Sequence, residues 1–359
     1  MPLLFAILVV SLPATMPAQA VPRTDTPRAG TFRITFGPII TTWDNEFTSK
    51  GRQRLGASLP ATVFVHEETR ATPLTVEFGI TNRIALSVRM PLVRVATRAS
   101  YSTDSAGKVD SAGFALDSLL NDTTYAFGTI MNTARRLHYF PGDVEVQAKY
   151  RFLEAPTFAL SGALVVRLPT GHQDSPNNLF DIATGDHQTD IELQVAQELT
   201  LFRRLWLNAM VRAARQQSGT RARRVGPQAT LLLPHAALAT LNWDPGDYVA
   251  IDAAPMYRFS KFFGAGVTFG YFTKQRDRYT YRSAQDSLDL ATRLGAPVPA
   301  SVLDAGTSDR RTRVGIAITF LAADVEGSLS FEQTVTAAGG HVPAASVFRI
   351  VMRTSRWLF

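Results

Sequence analysis

The sequence predicts an all-β chain: a transmembrane antiparallel up-and-down β-barrel of about 14 strands, or about 12 on the alternative count, with long external loops. Three observations carry this. Residues 142–153 (GDVEVQAKYRFL) alternate without a break, Val144, Val146, Ala148, Tyr150 and Phe152 against Asp143, Glu145, Gln147, Lys149 and Arg151. Successive strand side chains point to opposite faces, so one face is apolar and the other charged. A soluble sandwich strand seldom carries a charged or amide group at every inward position, whereas apolar-out and polar-in is the pattern of a membrane barrel with a polar lumen. The chain also opens with a secretion signal and closes on Phe359.

Composition narrows the class. A length of 359 residues suits two or three ordinary domains or one large all-β unit. At 45% hydrophobic residues and a mean hydropathy of +0.01 the chain is neither disordered nor a helical membrane protein. After residue 20 no apolar run approaches the roughly 18 residues a spanning helix needs. The absence of cysteine excludes disulfides, thiolate metal sites and cysteine nucleophiles. The net charge of +7 comes from Lys and Arg scattered over strands and turns, with one local cluster at Arg221, Arg223 and Arg224. That spread favours anionic lipopolysaccharide or loop solvation over nucleic acid.

Taken in order, residues 1–20 read as a signal peptide. An apolar run over 3–12 is followed by Pro13, Pro17 and an Ala18-Gln19-Ala20 cleavage site, so the mature chain starts at Val21. The usual basic n-region is missing, the first basic residue being Arg23. Residues 21–51 read as a periplasmic arm or plug, because Gly37-Pro38 interrupts the β character of 31–42 and Pro cannot join a central ladder. The barrel is expected over 52–359. Its first spanning candidate is 52–67, and 74–80 and 84–90 form a hairpin about Thr81-Asn82-Arg83. Residues 101–141 form a long polar loop with a short helix near 114–120 and an apolar patch at 125–130 that folds into the barrel mouth.

The 142–153 strand turns at Glu154-Ala155-Pro156 and returns over 158–168; a second long loop runs to His187. Ile191, Leu193, Val195 and Leu199 alternate with Asp190, Glu192, Gln194 and Glu198. After a turn at Arg203-Arg204, Leu205, Leu207, Ala209 and Val211 form the next outward face. Strands are expected over 225–233 and 236–243 about Pro234-His235, then over 248–259 and 262–274 about Ser260-Lys261. A third long loop, 276–309, contains a helix over 283–294: Ser283 and Asp286 suit a capping box, and Gly295 and Pro297 are stop signals. The last strands are 310–320, 325–336 and 345–359. Tight turns near residues 82, 155, 203, 234, 260 and 323 then lie on the periplasmic side with both termini. Loops near 70, 120, 178, 219, 245, 292 and 340 lie outside.

Phe359 with Trp357 resembles the terminal signal read by the barrel-assembly machinery. Phe348, Ile350 and Met352 have the opposite parity, and a β-bulge near 353–355 would reconcile the two. Trp206, Trp243, Tyr257, Tyr279, Tyr281 and Trp357 sit near presumed strand ends as interfacial girdles or as packing.

Parity places twelve charged residues on the lumen face: Glu77, Arg89, Glu145, Lys149, Arg151, Asp190, Glu192, Arg212, Asp252, Arg258, Arg313 and Glu332. They form a solute path of mixed charge or pair across strands to fix register. Gly264, Gly266 and Gly270 are spaced GxGxxxG on a strand, which fails the dinucleotide fingerprint in spacing and context. Small residues there leave room for a plug or ligand. His172, Asp174, Ser175, Asp186 and His187 share one loop and are the best candidates for hydrolysis or metal binding, without a recognised spacing. No catalytic, metal or cofactor site is assigned.

Several segments together resemble the outer-membrane family of meta-pathway phenol-degradation proteins, relatives of the long-chain fatty-acid transporter barrels. They are FGITNRIALSVRMPLV (78–93), GDVEVQAKYRFL (142–153), VVRLPTG (165–171), and PGDYVAIDAAPMYRF (245–259) followed by FFGAGVTFGY (262–271). The resemblance implies a monomeric outer-membrane channel, in lipid and lipopolysaccharide, for passive uptake of small hydrophobic or aromatic molecules, with no cofactor and no catalytic residues. The alternatives are a structural or adhesive barrel with a closed lumen, and a loop-based hydrolase.

Overall fold

The computed structural model describes residues 24–127, 133–136, 139–178, 181, 183–185, 187–202, 204–226, 232–260, 262–322 and 325–357. The signal peptide and the Val21 start, Ile130, His138, Asp186, the turn positions Arg203 and Lys261, and Phe359 lie outside these residues.

Among the described residues, twelve strands close into one antiparallel barrel. They are β1 in two pieces (Thr31–Phe36 and Ile39–Trp43), β2 (Val63–Gly79), β3 (Ile84–Tyr101), β4 (Val144–Glu154), β5 (Phe158–Leu168), β6 (Asp190–Leu201), β7 (Leu205–Gln216), β8 (Tyr248–Arg258), β9 (Phe263–Lys274), β10 (Asp309–Ala322), β11 (Val325–Gly339) and β12 (Ser346–Trp357). Each pairs with its sequence neighbours, and β1 closes the ring by pairing with β2 (Phe32↔Phe78) and β12 (Phe32↔Arg356). The fold class stands, at the alternative strand count.

The count falls short of fourteen for two local reasons. The 17-residue β2 is continuous, so no loop interrupts the chain near residue 70. Its polar run has Glu67 and Thr69 buried inside while Glu68 and Arg70 face out, above the apolar belt. Of the expected 225–243 hairpin, residues 227–231 lie outside the described residues, and the described strand Leu238–Asp244 is not in the wall. Residues Gly219–Arg224, Leu238–Asp244 and Arg278–Tyr281 form a separate three-stranded sheet in the external loops. Its core joins Leu241, Trp243 and Tyr279 to Leu290 and Leu303, so its apolar face is satisfied by protein instead of lipid. Residues 31–43, which fall in the stretch read from the sequence as a periplasmic arm or plug, add one stave back. Gly37-Pro38 breaks it into two pieces, and the break keeps its hydrogen bonds: Gly37 N–H donates to Pro73 O at 3.2 Å and Ile350 N–H to Pro38 O at 2.9 Å.

Tight connections lie at one end of the barrel and long ones at the other, with both barrel termini at the tight end. Side-chain hydroxyls fix two of the tight turns. Thr81 Oγ1 accepts from Arg83 N–H (3.1 Å) and Ile84 N–H (2.9 Å), and Ser260 Oγ accepts from Phe262 and Phe263 N–H, both at 3.1 Å. The long excursions hold α1 (Ser111–Asn121), capped by Asp110 through Gly113 N–H at 2.7 Å, and α2 (Ala284–Leu294). Ser283 caps α2 through Asp286 N–H at 3.1 Å, and Gly295 ends it at φ +73°.

Large apolar side chains such as Leu86, Val88, Tyr150, Leu193, Ile316 and Phe331 are exposed on the outer surface. A continuous apolar belt of that size is what a bilayer covers. The β1–β12 register runs unbroken from Met352 to Trp357, so the bulge expected at 353–355 is not there. Of the proposed girdle, Tyr257 faces out beside Phe259 (5.1 Å between rings). Trp206 points inward, and Trp243, Tyr279 and Tyr281 belong to the external loop core.

Candidate solute path in the lumen

The inward positions follow from strand parity, and the twelve predicted residues all occupy such positions: odd-numbered on β2 to β4 and on β10, even-numbered on β6 to β8 and on β11. The ladder then decides which of them meet. On β3 to β7 a single row of register partners runs Arg89↔Glu145↔Arg167↔Asp190↔Gln216. Charge alternates along it. Arg89 Nη1 donates to Glu145 Oε2 at 2.9 Å, Arg167 donates to Glu145 Oε1 at 3.1 and 3.2 Å, and Arg167 Nη1 donates to Asp190 Oδ2 at 2.6 Å. Gln216 Nε2 reaches Asp190 Oδ2 at 3.3 Å, and the Tyr248 hydroxyl donates to Glu192.

A second chain crosses the opposite wall. Arg212 Nη2 donates to Asp252 Oδ2 (2.8 Å), Arg313 Nη2 to Asp252 Oδ1 (3.2 Å), and Arg313 and Arg349 hold Glu332 at 3.6 and 3.5 Å. Asp252 and Arg313 sit two strands apart, with Gly270 between them in the same row. A Cβ at Gly270 would lie 3.0 Å from Arg313 Nη2 and 3.2 Å from Asp252 Oδ1. The glycine clearance read from the sequence is real, and the chain's own ion pair fills it. Together the two chains form an ionic belt along the lumen wall from β3 to β12.

On the tight-turn side of the belt lies a cavity of about 520 Å³. Trp206, Met210, Met256 and Val351, from β7, β8 and β12, give it an apolar wall. Arg33, Glu77, Lys149, Glu198 and Arg353 face it from β12 round to β6. The Arg258 guanidinium stacks 3.5 Å over the Trp206 ring, a cation–π contact. Chain entering β1 lies across this mouth. Asp25 pairs with Arg33 (2.7 Å) and Arg353 (3.2 Å), Thr24 N–H donates to Glu198 (2.8 Å), and Arg33 also holds Glu77 (3.2 Å). Of the predicted set only Arg151 leaves the lumen network, pairing at 2.9 Å with Glu154 at its own tight turn.

Sequence reasoning missed Arg33, Arg167, Arg349, Arg353 and Asp25. The parity signal for Arg349 and Arg353 was present, opposite Phe348, Ile350 and Met352. Arg167 is the one charge on an inward face otherwise made of Ala159, Ser161, Ala163 and Val165. Arg33 and Asp25 fell in the segment read as a periplasmic arm or plug.

The other half of the lumen is filled. Ile39, Ala71, Val93, Val95 and Val347 form a buried apolar layer. Above it Leu116 and Leu120 of α1 pack on Val63, Val65, Ala99 and Tyr101. The loop after β5 also folds in, with Ala183 and Thr184 buried and Thr184 Oγ1 donating to Pro141 O at 3.1 Å. The arginine cluster is engaged by other residues of the external loops, with Arg221 and Arg224 buried. Arg221 and Arg223 clamp Asp174, the latter at 2.8 Å, and Arg224 lies 3.7 Å over the Phe127 ring. Burial opposes ionisation of Asp174, but Arg223 and Arg221 outweigh it and hold the carboxyl well below the usual carboxylate range. Asp174 is therefore an anchor, unsuited to act as a base. His172 Nε2 lies 3.2 Å from Asp181, and His187 sits at φ +59°. Among the described residues of this loop no serine–histidine–acid arrangement forms.

The fold has solved counterparts. A crystal structure of an outer-membrane channel from Pseudomonas putida F1 is similar at a TM-score of 0.59 and 10% identity, covering 93% of this chain and 98% of that one. A mutant of the TodX monoaromatic hydrocarbon channel (TM-score 0.44, 8% identity, 91% and 90% covered) and the NanC porin (0.38, 10%, 89% and 98%) lie farther away. No protein-family model matches the chain, and no curated protein matches it by sequence. At 10% identity the likeness shows the fold alone: this chain has the architecture of an outer-membrane channel.

Proposed function

We propose that the barrel is a monomeric outer-membrane channel for passive passage of small hydrophobic or aromatic molecules. The carrying observation is the cavity of about 520 Å³ beneath the ionic belt. Its size is that of small-molecule sites, roughly 300–1,000 Å³. Its lining is mixed, an apolar surface of Trp206, Met210, Met256 and Val351 on one side and many charged side chains on the others. The resemblance to the phenol-degradation family supports the solute class, and the barrel fold and apolar belt support lipid and lipopolysaccharide surroundings with delivery by the barrel-assembly machinery. Passage requires the filled outer half to rearrange. No residue is assigned to covalent chemistry.

Intact cells expressing the barrel should take up the neutral hydrophobic probe N-phenylnaphthylamine faster than vector controls. Met210→Glu, which puts a charge on the apolar wall, should return uptake toward the control rate while a heat-modifiable gel band shows that the barrel has folded. Equal uptake with and without the barrel refutes the reading. A second reading, a barrel that binds partners while its lumen stays closed, is favoured by the filled outer half. Absence of both conductance steps and probe uptake would select it.

A further inference from the structure

The segment before β1 is held in the inner mouth much as a ligand would be. Asp25 belongs to no strand, yet its carboxylate sits in a fork of two cations: Arg33 Nη2 on β1 at 2.7 Å and Arg353 Nη1 on β12 at 3.2 Å. Its main-chain carbonyl accepts from Lys149 Nζ on β4 at 2.8 Å and from Arg33 Nη1 at 3.4 Å. Charge-assisted bonds of this kind are the strong class. Arg33 and Arg353 also hold Glu77 and Glu326 from neighbouring strands. The wall therefore supplies carboxylate partners of its own, and Asp25 is an additional occupant.

The segment crosses the mouth without joining the sheet. Thr24 N–H donates to Glu198 on β6, while Thr26 Oγ1 and Ala29 N–H are tied to Asn82 in the β2–β3 turn at 2.8 and 3.1 Å. Strands β6 and β12 are six staves apart in the ring of twelve, so this short chain bridges opposite walls. Gly79 permits its approach: a Cβ there would lie 2.2 Å from Arg28 O.

We propose that Arg33, Arg353 and Lys149 form a binding site for the carboxylate of a small organic acid, and that Asp25 fills it as an internal stand-in that such a solute displaces. The site adjoins the apolar wall. Val351 precedes Arg353 by one inward position, and Met210, Met256 and Trp206 line the same cavity. A carboxylate in the fork directs an aromatic or alkyl tail onto that wall, so the class is the amphipathic monocarboxylate. The inference rests on the channel reading and narrows its solute. Because Asp25 is tethered, it competes at an effective concentration of order millimolar, and displacement needs solute in that range.

The chain has no cysteine, and Thr24 is fully buried at 0% exposure, so Thr24→Cys gives a single reporter of segment release. In the purified full-length barrel, benzoate at about 10 mM should raise the maleimide reaction rate of that cysteine about tenfold. Benzyl alcohol and sodium chloride at equal concentration should not. Asp25→Asn in the same background should react fast without ligand, with no further response to benzoate. The inference is overturned if benzoate leaves the rate unchanged, if benzyl alcohol or chloride matches it, or if Asp25→Asn stays protected. Neutral-probe uptake is measured in parallel: its absence alone sinks the channel reading and leaves the carboxylate site standing.

Discussion

Replacing Arg167 by methionine should cost about 3 kcal/mol of barrel stability. The side chain is 8% exposed and joins two carboxylates: Glu145, 17% exposed, and Asp190, 1% exposed. Removing one partner of a buried pair typically costs about 3–5 kcal/mol, because the other charge stays buried without compensation. Here the two ends differ. Glu145 keeps Arg89 at 2.9 Å and has some solvent, so it contributes roughly one lost charge-assisted bond. Asp190, almost wholly buried, keeps amide donors such as Gln188 at 3.1 Å and Gln216 at 3.3 Å but loses a charged partner, and it carries most of the cost. That places the sum at the low end of the range. Urea unfolding in phospholipid vesicles, followed by tryptophan fluorescence, measures it. Asp190→Asn added to Arg167→Met should recover about 1–2 kcal/mol through the coupling of contacting sites. A loss under about 1 kcal/mol, with no recovery in the double variant, would refute the reasoning. The belt would then be a set of hydrated pairs in a wet pore, where exposed ion pairs contribute about 0–1 kcal/mol.

Two further expectations probe the cap and the outer face. The Asp174 carboxyl is held below its ordinary range by Arg223 and Arg221 against the opposing effect of burial, so its stabilisation is complete above the unfolded value of about 4 and is lost as pH falls through the depressed folded value. Amide exchange over 219–224, corrected for intrinsic rate, should stay slow from about pH 7 to 5 and speed up below about pH 4, while Asp174→Asn should be fast throughout; protection that is flat into strong acid in the native chain contradicts the latch. Ile316 is 64% exposed midway along β10, so Ile316→Arg should cost about 2–4 kcal/mol when the barrel refolds into bilayers. Ala317→Ser, one residue on and facing inward, should cost far less, and equal losses would mean that the faces are misassigned.

Alternation was enough to find the staves where both faces have a fixed solvent. The expected 158–168 strand is β5 end to end, and β3, β4, β6, β8 and β9 begin within a residue or two of their expected starts. The misses share a cause. Alternation reports that one face is apolar and does not report what covers it. Residues 236–243 alternate as a stave would, but Leu241 and Trp243 bury their face against Tyr279 and Leu290 in the external loops. Conversely, Thr31–Phe36 and Ile39–Trp43 are two short pieces separated by Gly37-Pro38, a pattern that denotes a central strand only if its neighbours accept the break. Pro73 O and Ile350 N–H do accept it, and both lie far away in sequence.

The lumen charges divide along the same line. Parity alone puts twelve of them at inward positions, because facing in or out is a property of one strand. Pairing is a property of three or four strands in register. Arg89, Glu145, Arg167 and Asp190 form one row only because the connections between β3 and β6 set those residues side by side. Leaving out Arg167 removes the centre of the row, and the remaining members read as separate charges lining a path. The glycines show the converse. Gly270 reads as room for a ligand until the register places Asp252 on one side of it and Arg313 on the other. The space then belongs to an ion pair of the wall itself. Signs alternate along the first row, so displacing one member strands an opposite charge beside it. Breaking its pairs in sequence would therefore incur a separate desolvation cost at each step, which favours a concerted shift of the row.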